Sequence, residues 1–420
     1  MRFVLLAIAL APLAMLLDGC ASPPRLDALA ESYVKLILAV GRHDELYVDA
    51  YYGPPAWRTE AAVGEPVPLR DLLARARALR RDVSNAPGPA DRKRYLDKQL
   101  EAVEAHLRRL SGERMSLTEE CRALYDADPP HHDVAEFQAA HETLERLVPG
   151  SGPLGPRIEA LRKAVYIPKD RIANAVRLAL DAARSANAPF VELPAGETFE
   201  TALVTGKPWG AYNWYLGGFK SRIELNTDLP TEVNGLLGTM CHEGYPGHHV
   251  YNVLLEDKLM KGRGWVEYTV YALYSPQSLL AEGTANVAAD IVFTDDERRR
   301  VLTEVLGPAT GVPKEAILAL DAIRDALKPL AYVNGEAARM LLDHGRPGDE
   351  VAAFIARWGL VSDERAKKSV DFARTYRSYV FNYSLGQDIV REWIGAGPDR
   401  RKRFYDLLDR PVVPSDLRPR

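Results

Sequence analysis

The segment Cys241-His242-Glu243-Gly244-Tyr245-Pro246-Gly247-His248-His249 constrains this chain more than any other stretch. Three of the nine histidines fall within its last eight residues, and a Pro-Gly pair lies between them. A His-Glu pair followed closely by histidine suits a zinc hydrolase, with imidazole nitrogens on the metal and the adjacent carboxylate as general base. In a straight helix, however, residues six apart lie about 240° round the axis and about 9 Å along it. His249 returns to the face of His242 but about 10.5 Å away. Neither spacing lets two imidazoles share an ion whose bonds are about 2.1 Å long. A metal site here therefore requires a broken helix, and the sequence supplies the break. Pro246 lacks an N–H, and its ring clashes with the carbonyl four residues earlier, that of His242. Gly247 can adopt backbone angles closed to other residues. The alternative is a helix that ends at Tyr245, with surface histidines after it.

A third ligand is available downstream, in Ser278-Leu279-Leu280-Ala281-Glu282-Gly283-Thr284-Ala285-Asn286-Val287-Ala288-Ala289-Asp290. Its small and apolar residues suit a closely packed helix, yet Glu282, Asn286 and Asp290 share one face. A carboxylate in such surroundings is costly unless paired or bound to metal. Glu282 as a ligand, with Asn286 or Asp290 orienting the site, accounts for the stripe; a solvent-facing surface stripe is the alternative. Tyr376, Tyr379 and Tyr383 also repeat on one helix face, either as plain core or with Tyr383 as a phenol that hydrogen-bonds a tetrahedral oxyanion.

Around these motifs the chain reads as mostly α-helical. Leu26, Leu29, Tyr33, Ile37 and Val40 make one apolar stripe, and Leu96, Leu100, Val103, Leu107 and Leu110 a second that ends at Ser111-Gly112. Ile172, Val176, Leu180 and Ala183 make a third. From Val191 to Asp228 the texture changes to Gly, Thr and aromatics, with alternation in Arg222-Ile223-Glu224-Leu225-Asn226, which predicts a small β-element of two or three strands. This divides the mature chain into a helical N-terminal lobe, 20–190, and a catalytic lobe, 191–420, with no flexible linker between them. By fold-level analogy, with an edge strand near this place pairing with substrate backbone, a groove is expected beside the segment Ser221–Asp228. Trp209, Tyr212, Trp214 and Tyr215 are candidates to line pockets there.

Residues 1–19 read as a signal peptide. Met1-Arg2 is a short positive start, and Phe3 to Leu17 is a run of fifteen apolar or small residues. A membrane helix needs about 20. Leu17-Asp18-Gly19-Cys20 resembles a bacterial lipobox, which implies lipid on Cys20 and an outer-membrane lipoprotein facing the periplasm; cleavage to a soluble periplasmic protein is the alternative. Only Cys121 and Cys241 then remain, either paired or as separate buried thiols. The net charge of −4 offers no footprint for nucleic acid. No Gly-x-Ser-x-Gly elbow supports serine hydrolysis. His131-His132-Asp133 and His141-Glu142 have no second ligand cluster; the first reads as an exposed loop, the second as part of an amphipathic helix.

His-Glu-x-x-Pro-Gly-His-His, followed by Glu-Gly in a small-residue helix, resembles the bacterial domain-of-unknown-function 885 family, zincin-like proteins regarded as metallopeptidases. Tyr51-Tyr52-Gly53-Pro54-Pro55-Ala56-Trp57 and Tyr383-Ser384-Leu385-Gly386 are weaker echoes of it. The resemblance implies a zincin-like multi-helical fold in which His242, His248 and Glu282 bind zinc and Glu243 is the general base. It leaves Tyr383 and His249 as further candidate catalytic groups. The expected activity is zinc-dependent hydrolysis of peptide bonds, with oligopeptides as substrates. Two rival readings stay open: an envelope-assembly lipoprotein that keeps the metal for structure, and a zinc hydrolase of non-peptide amides.

Overall fold

The computed structural model describes residues 25–418. The leader and Cys20 lie outside them. All three apolar stripes form helices that face the core: Leu26–Val40, Ala90–Leu110 and Ile172–Asn187. Leu96, Leu100, Val103 and Leu107 are buried along the second, and Gly112 takes the left-handed conformation just past its end. The chain is mostly helical, and no helix among the described residues is long and apolar enough to cross a membrane.

The expected β-element forms as three strands: β2 (Thr198–Val204), β3 (Ala211–Gly217) and β4 (Lys220–Asn226). Their order is β2-β4-β3, with β4 parallel to β2 and antiparallel to β3. The strand within Ser221–Asp228 is central, so its backbone groups are shared between two neighbours and it has no edge to offer. Among the described residues β3 pairs with a strand on one side only, which leaves its other edge unpaired. Ile223 and Leu225 point inward as their alternation predicts, while Glu224 is buried because the Trp214 indole donates to it at 3.0 Å.

A second, two-stranded sheet was not legible in the sequence. β1 (Val48–Tyr51) pairs antiparallel with β5 (Val270–Ala272), so a strand from the helical first part meets one from the second. The core likewise runs without interruption from Leu26 to Leu417. Polar contacts cross the same boundary. The Arg92 guanidinium clamps both oxygens of the fully buried Glu267, at 2.6 and 2.9 Å, and reaches Asp27 at 2.6 Å. The Tyr95 hydroxyl donates to Gln277 at 2.7 Å.

Two helices of the second part set the floor of the site, Pro276–Val292 and Val380–Ile394. They touch backbone to backbone, since a Cβ added at Gly283 would lie 2.3 Å from the Gly386 carbonyl oxygen. A Cβ added at Gly386 would lie 2.4 Å from the Leu279 carbonyl oxygen. The glycine of Tyr383-Ser384-Leu385-Gly386 is thus a packing requirement, and it fixes how near Tyr379 and Tyr383 stand to Glu282.

Arg92→Met leaves the Glu267 carboxylate buried without its partner. It should lower folding stability by about 3–5 kcal/mol, read by denaturant unfolding. A change below about 1 kcal/mol, the scale of an exposed pair, would show that this clamp does not join the two parts.

Candidate functional site

The helix carrying His242 runs from Val233 to Glu243 and stops there, and a new helix begins at His248 and ends at Leu254. Between them the Gly247 amide folds back to donate to the Cys241 carbonyl at 3.0 Å. A Cβ on Gly247 would lie 1.8 Å from the His242 carbonyl oxygen, so only glycine passes at this point. The Asn213 side-chain amide, from β3, satisfies the Glu243 carbonyl at 2.7 Å. The break does what the spacing required. The Nε2 atoms of His242 and His248 come within 3.1 Å, with the ring planes nearly perpendicular at 87°.

Glu282 completes a three-residue cluster from the helix below. Its Oε2 lies 3.4 Å from His242 Nε2 and its Oε1 3.6 Å from His248 Nε2. Four tetrahedral bonds of about 2.0–2.1 Å place donor atoms about 3.3–3.4 Å apart, so the three separations bracket what a zinc ion needs. Glu282 Oε2 is buried and has no hydrogen-bond partner among the described residues, an expensive condition that a cation aimed at by all three residues would relieve. The residues present therefore fit the metal. Asp and Glu oxygens with imidazole nitrogens are also the donor set that zinc accepts.

The same charges perturb one another. Burial opposes the charge on His242, but the Glu282 carboxylate facing it and the nearby Glu243 outweigh it and push the imidazole up to about 9. Burial also works against ionised Glu282, yet the two histidines hold its carboxyl well below the usual carboxylate range. Glu243 stands beside the cluster, with Oε1 4.0 Å from His242 Nε2. Burial raises its carboxyl, and the two imidazoles offset only part of the rise.

These groups open into a cavity of about 1080 Å³ lined by Glu243, Glu282, Tyr383 and, on β3, Tyr212 and Trp214. Tyr383 presents itself to the cavity and is 38 % exposed. The phenol that touches a cluster residue is instead Tyr379, which donates to Glu282 Oε1 at 2.8 Å. Tyr379 belongs to the same stripe but was not singled out, because spacing alone does not tell which tyrosine of a stripe meets a carboxylate. Asn286 donates to the Tyr383 carbonyl at 2.9 Å, and Asp290 pairs with Arg391 at 3.0 Å, away from the cluster.

His249 is not brought to the cavity. It is fully buried, with Nδ1 2.7 Å from the Ser221 hydroxyl and Nε2 2.6 Å from Glu197 Oε1. The Tyr245 hydroxyl also donates to that Glu197 oxygen. Next-door residues on a helix point about 100° apart, so placing His248 in the cluster sends His249 elsewhere. The network instead pins the turn to β4. Cys121 and Cys241 are separate buried thiols. His131 is exposed, but His132, expected in the same exposed loop, is stacked on Tyr332 at 3.9 Å.

No family model matches the chain, and the comparison with curated proteins found no match. Among solved structures it is similar to a predicted lipoprotein from Colwellia psychrerythraea, at 14% identity over 94% of this chain and 76% of that one, with a TM-score of 0.49. It is also similar to a protein named CHT, at 12% identity over 92% of this chain and 89% of that one, with a TM-score of 0.43.

Gly247→Ala should destabilise the fold by at least about 1–3 kcal/mol, the scale of a core clash that forces backbone to move. Gly238→Ala, within the Val233–Glu243 helix and with open space around its α-carbon, is the control and should be neutral or slightly stabilising. Equal melting temperatures for the two variants would contradict the close passage at the turn.

Proposed function

We propose that this chain is a zinc-dependent peptidase of the zincin-like type. The observation that carries the reading is the convergence of His242, His248 and Glu282, with the buried Glu243 carboxylate next to them. The resemblance of the His-Glu-x-x-Pro-Gly-His-His and Glu-Gly motifs to the domain-of-unknown-function 885 family supports it. His242, His248 and Glu282 are the residues that would hold the ion, and Tyr379 fixes the carboxylate orientation. Bound zinc supplies Lewis-acid polarisation of the scissile carbonyl and makes water more acidic.

The rest of the chemistry falls to the chain's own side chains. Glu243, its carboxyl raised by burial, accepts a proton from the attacking water as the oxygen joins the carbonyl carbon. The same carboxyl then returns that proton to the nitrogen as the C–N bond breaks, so that a carboxylate and an amine leave. The Tyr383 phenol, held well above its ordinary range by its enclosure within the cavity walls and by Glu282 and Glu243, keeps its proton and is able to donate to the developing oxyanion. The open edge of β3, which lines the cavity, offers backbone hydrogen bonds to an extended peptide. A cavity of this depth admits oligopeptides and flexible segments rather than folded proteins. The leader motif ending in Gly19-Cys20 supports export and a lipid anchor in the bacterial cell envelope.

A purely structural metal has no use for Glu243, which separates the readings experimentally. Purified protein should carry about one zinc per chain. Glu243→Gln should keep that zinc and cut kcat on a peptide library about 10²–10⁴-fold. His248→Ala should lose the zinc together with the activity. Unchanged turnover in Glu243→Gln would reject the mechanism, and chelation that unfolds a protein with no prior cleavage would favour the structural role. Tyr383→Phe should lower kcat about 10²–10³-fold with zinc content and KM nearly unchanged; a rise in KM alone would make it a binding residue.

A further inference from the structure

The proposed chemistry leaves two carboxylates of the cavity unused, Asp49 and Glu232, and of these Glu232 is paired with Arg365. Asp49 lies on β1, where Val48 pairs with Ala272 and Ala50 already with Tyr271, so it is the extra residue of a β-bulge. Bulges bend a strand and re-aim one side chain, and they gather beside active sites. Here the re-aimed side chain lines the same cavity as Glu243 and Glu282. Its Oδ1 accepts a hydrogen bond from the Tyr212 hydroxyl on β3, and Tyr212 is itself braced between Trp209 and Trp214, ring centroids 5.3 and 4.5 Å away.

Asp49 makes no ion pair among the described residues, and its second oxygen receives no hydrogen bond from them. The cationic side chains of the cavity are engaged elsewhere: Arg365 with Glu232 at 3.3 Å, Lys368 with Asp228 at 3.5 Å, and Lys207 over the Trp209 ring. Burial first, and then Glu282 and Glu243, push the Asp49 carboxyl up to about 7. A dication held by two neutral imidazoles and Glu282, with Glu243 alongside, is charge-balanced. Asp49 is the carboxyl left over, oriented, half-buried and facing the cavity, where a cation would favour its ionised form.

We propose that Asp49, positioned by the β1 bulge and the Tyr212 hydroxyl, receives an alkylammonium group of the substrate and sets specificity for it. Two sources fit this chemistry, the free α-amino group of a peptide and a lysine side chain. The inference rests on the peptidase reading for the identity of the ligand as a peptide. Because Tyr212 belongs to β3, the ammonium would be anchored beside the strand edge that takes the peptide backbone. This would favour removal of residues from a free N-terminus, or cleavage next to lysine.

The experiment measures binding by calorimetry on the zinc-loaded Glu243→Gln protein, so that turnover does not intervene, with and without Asp49→Asn. The probes are trialanine, N-acetyl-trialanine, and N-acetyl-trialanine with one residue replaced by lysine. Trialanine should bind about tenfold or more tighter than its acetylated form, and Asp49→Asn, at unchanged zinc content, should abolish the difference. An Asp49-dependent gain from lysine in the acetylated probe assigns the ammonium to the side chain and supports the same site. Equal affinity for all three probes, or a preference untouched by Asp49→Asn, overturns the inference. Cleavage assays with wild-type protein keep the two claims apart. Discrimination in binding with no cleavage removes the peptidase reading and leaves the ammonium site, whereas cleavage without discrimination removes the site alone.

Discussion

The passage of Gly247 beneath the His242 carbonyl is the contact on which the candidate site depends. Six residues is a poor interval for two ligands on one helix, and the chain solves it by stopping the helix at Glu243 and restarting it at His248. The approach is closer than any side chain allows, and it is held from outside by Asn213 on the Glu243 carbonyl and by the Ser221–His249–Glu197–Tyr245 network. His249 therefore serves the site at a distance, by anchoring the turn to β4. The crossing of Gly283 and Gly386 does the same work from below, setting Glu282 and the tyrosines at the height of the imidazoles.

Electrostatics explains why so much backbone geometry is devoted to this point. Asp49, Glu243 and Glu282 all face one cavity, and each is opposed by burial. Of the three, Glu282 has the strongest compensation, from two imidazoles that would otherwise compete with each other for one proton. Such a cluster is costly as bare protein and would become favourable with a dication at its centre, as the proposed function requires.

Much of this was legible from residue order. The apolar stripes located the helices, because a period near 3.6 has few other uses in a soluble chain. The need for a kink followed from the six-residue spacing, and Pro246-Gly247 named its place. Glu282 stood out as a carboxylate among alanines. What was hidden depends on partners far apart in sequence. β1 is four residues long and has no clear alternation, so its pairing with β5 and the bulge at Asp49 left no signal. The order β2-β4-β3 could not be read from strand positions, and it places an unpaired edge on Ala211–Gly217. Tyr379 rather than Tyr383 meets Glu282 because the close crossing at Gly386 decides which phenol is nearest.

The most direct test is anomalous diffraction at the zinc edge from crystals of protein purified without chelator. The account predicts a single strong peak at bonding distance from His242 Nε2, His248 Nε2 and a Glu282 oxygen, with Glu243 beside it but not bound. Imidazoles and carboxylate that point apart, or an anomalous peak elsewhere on the chain, would contradict it.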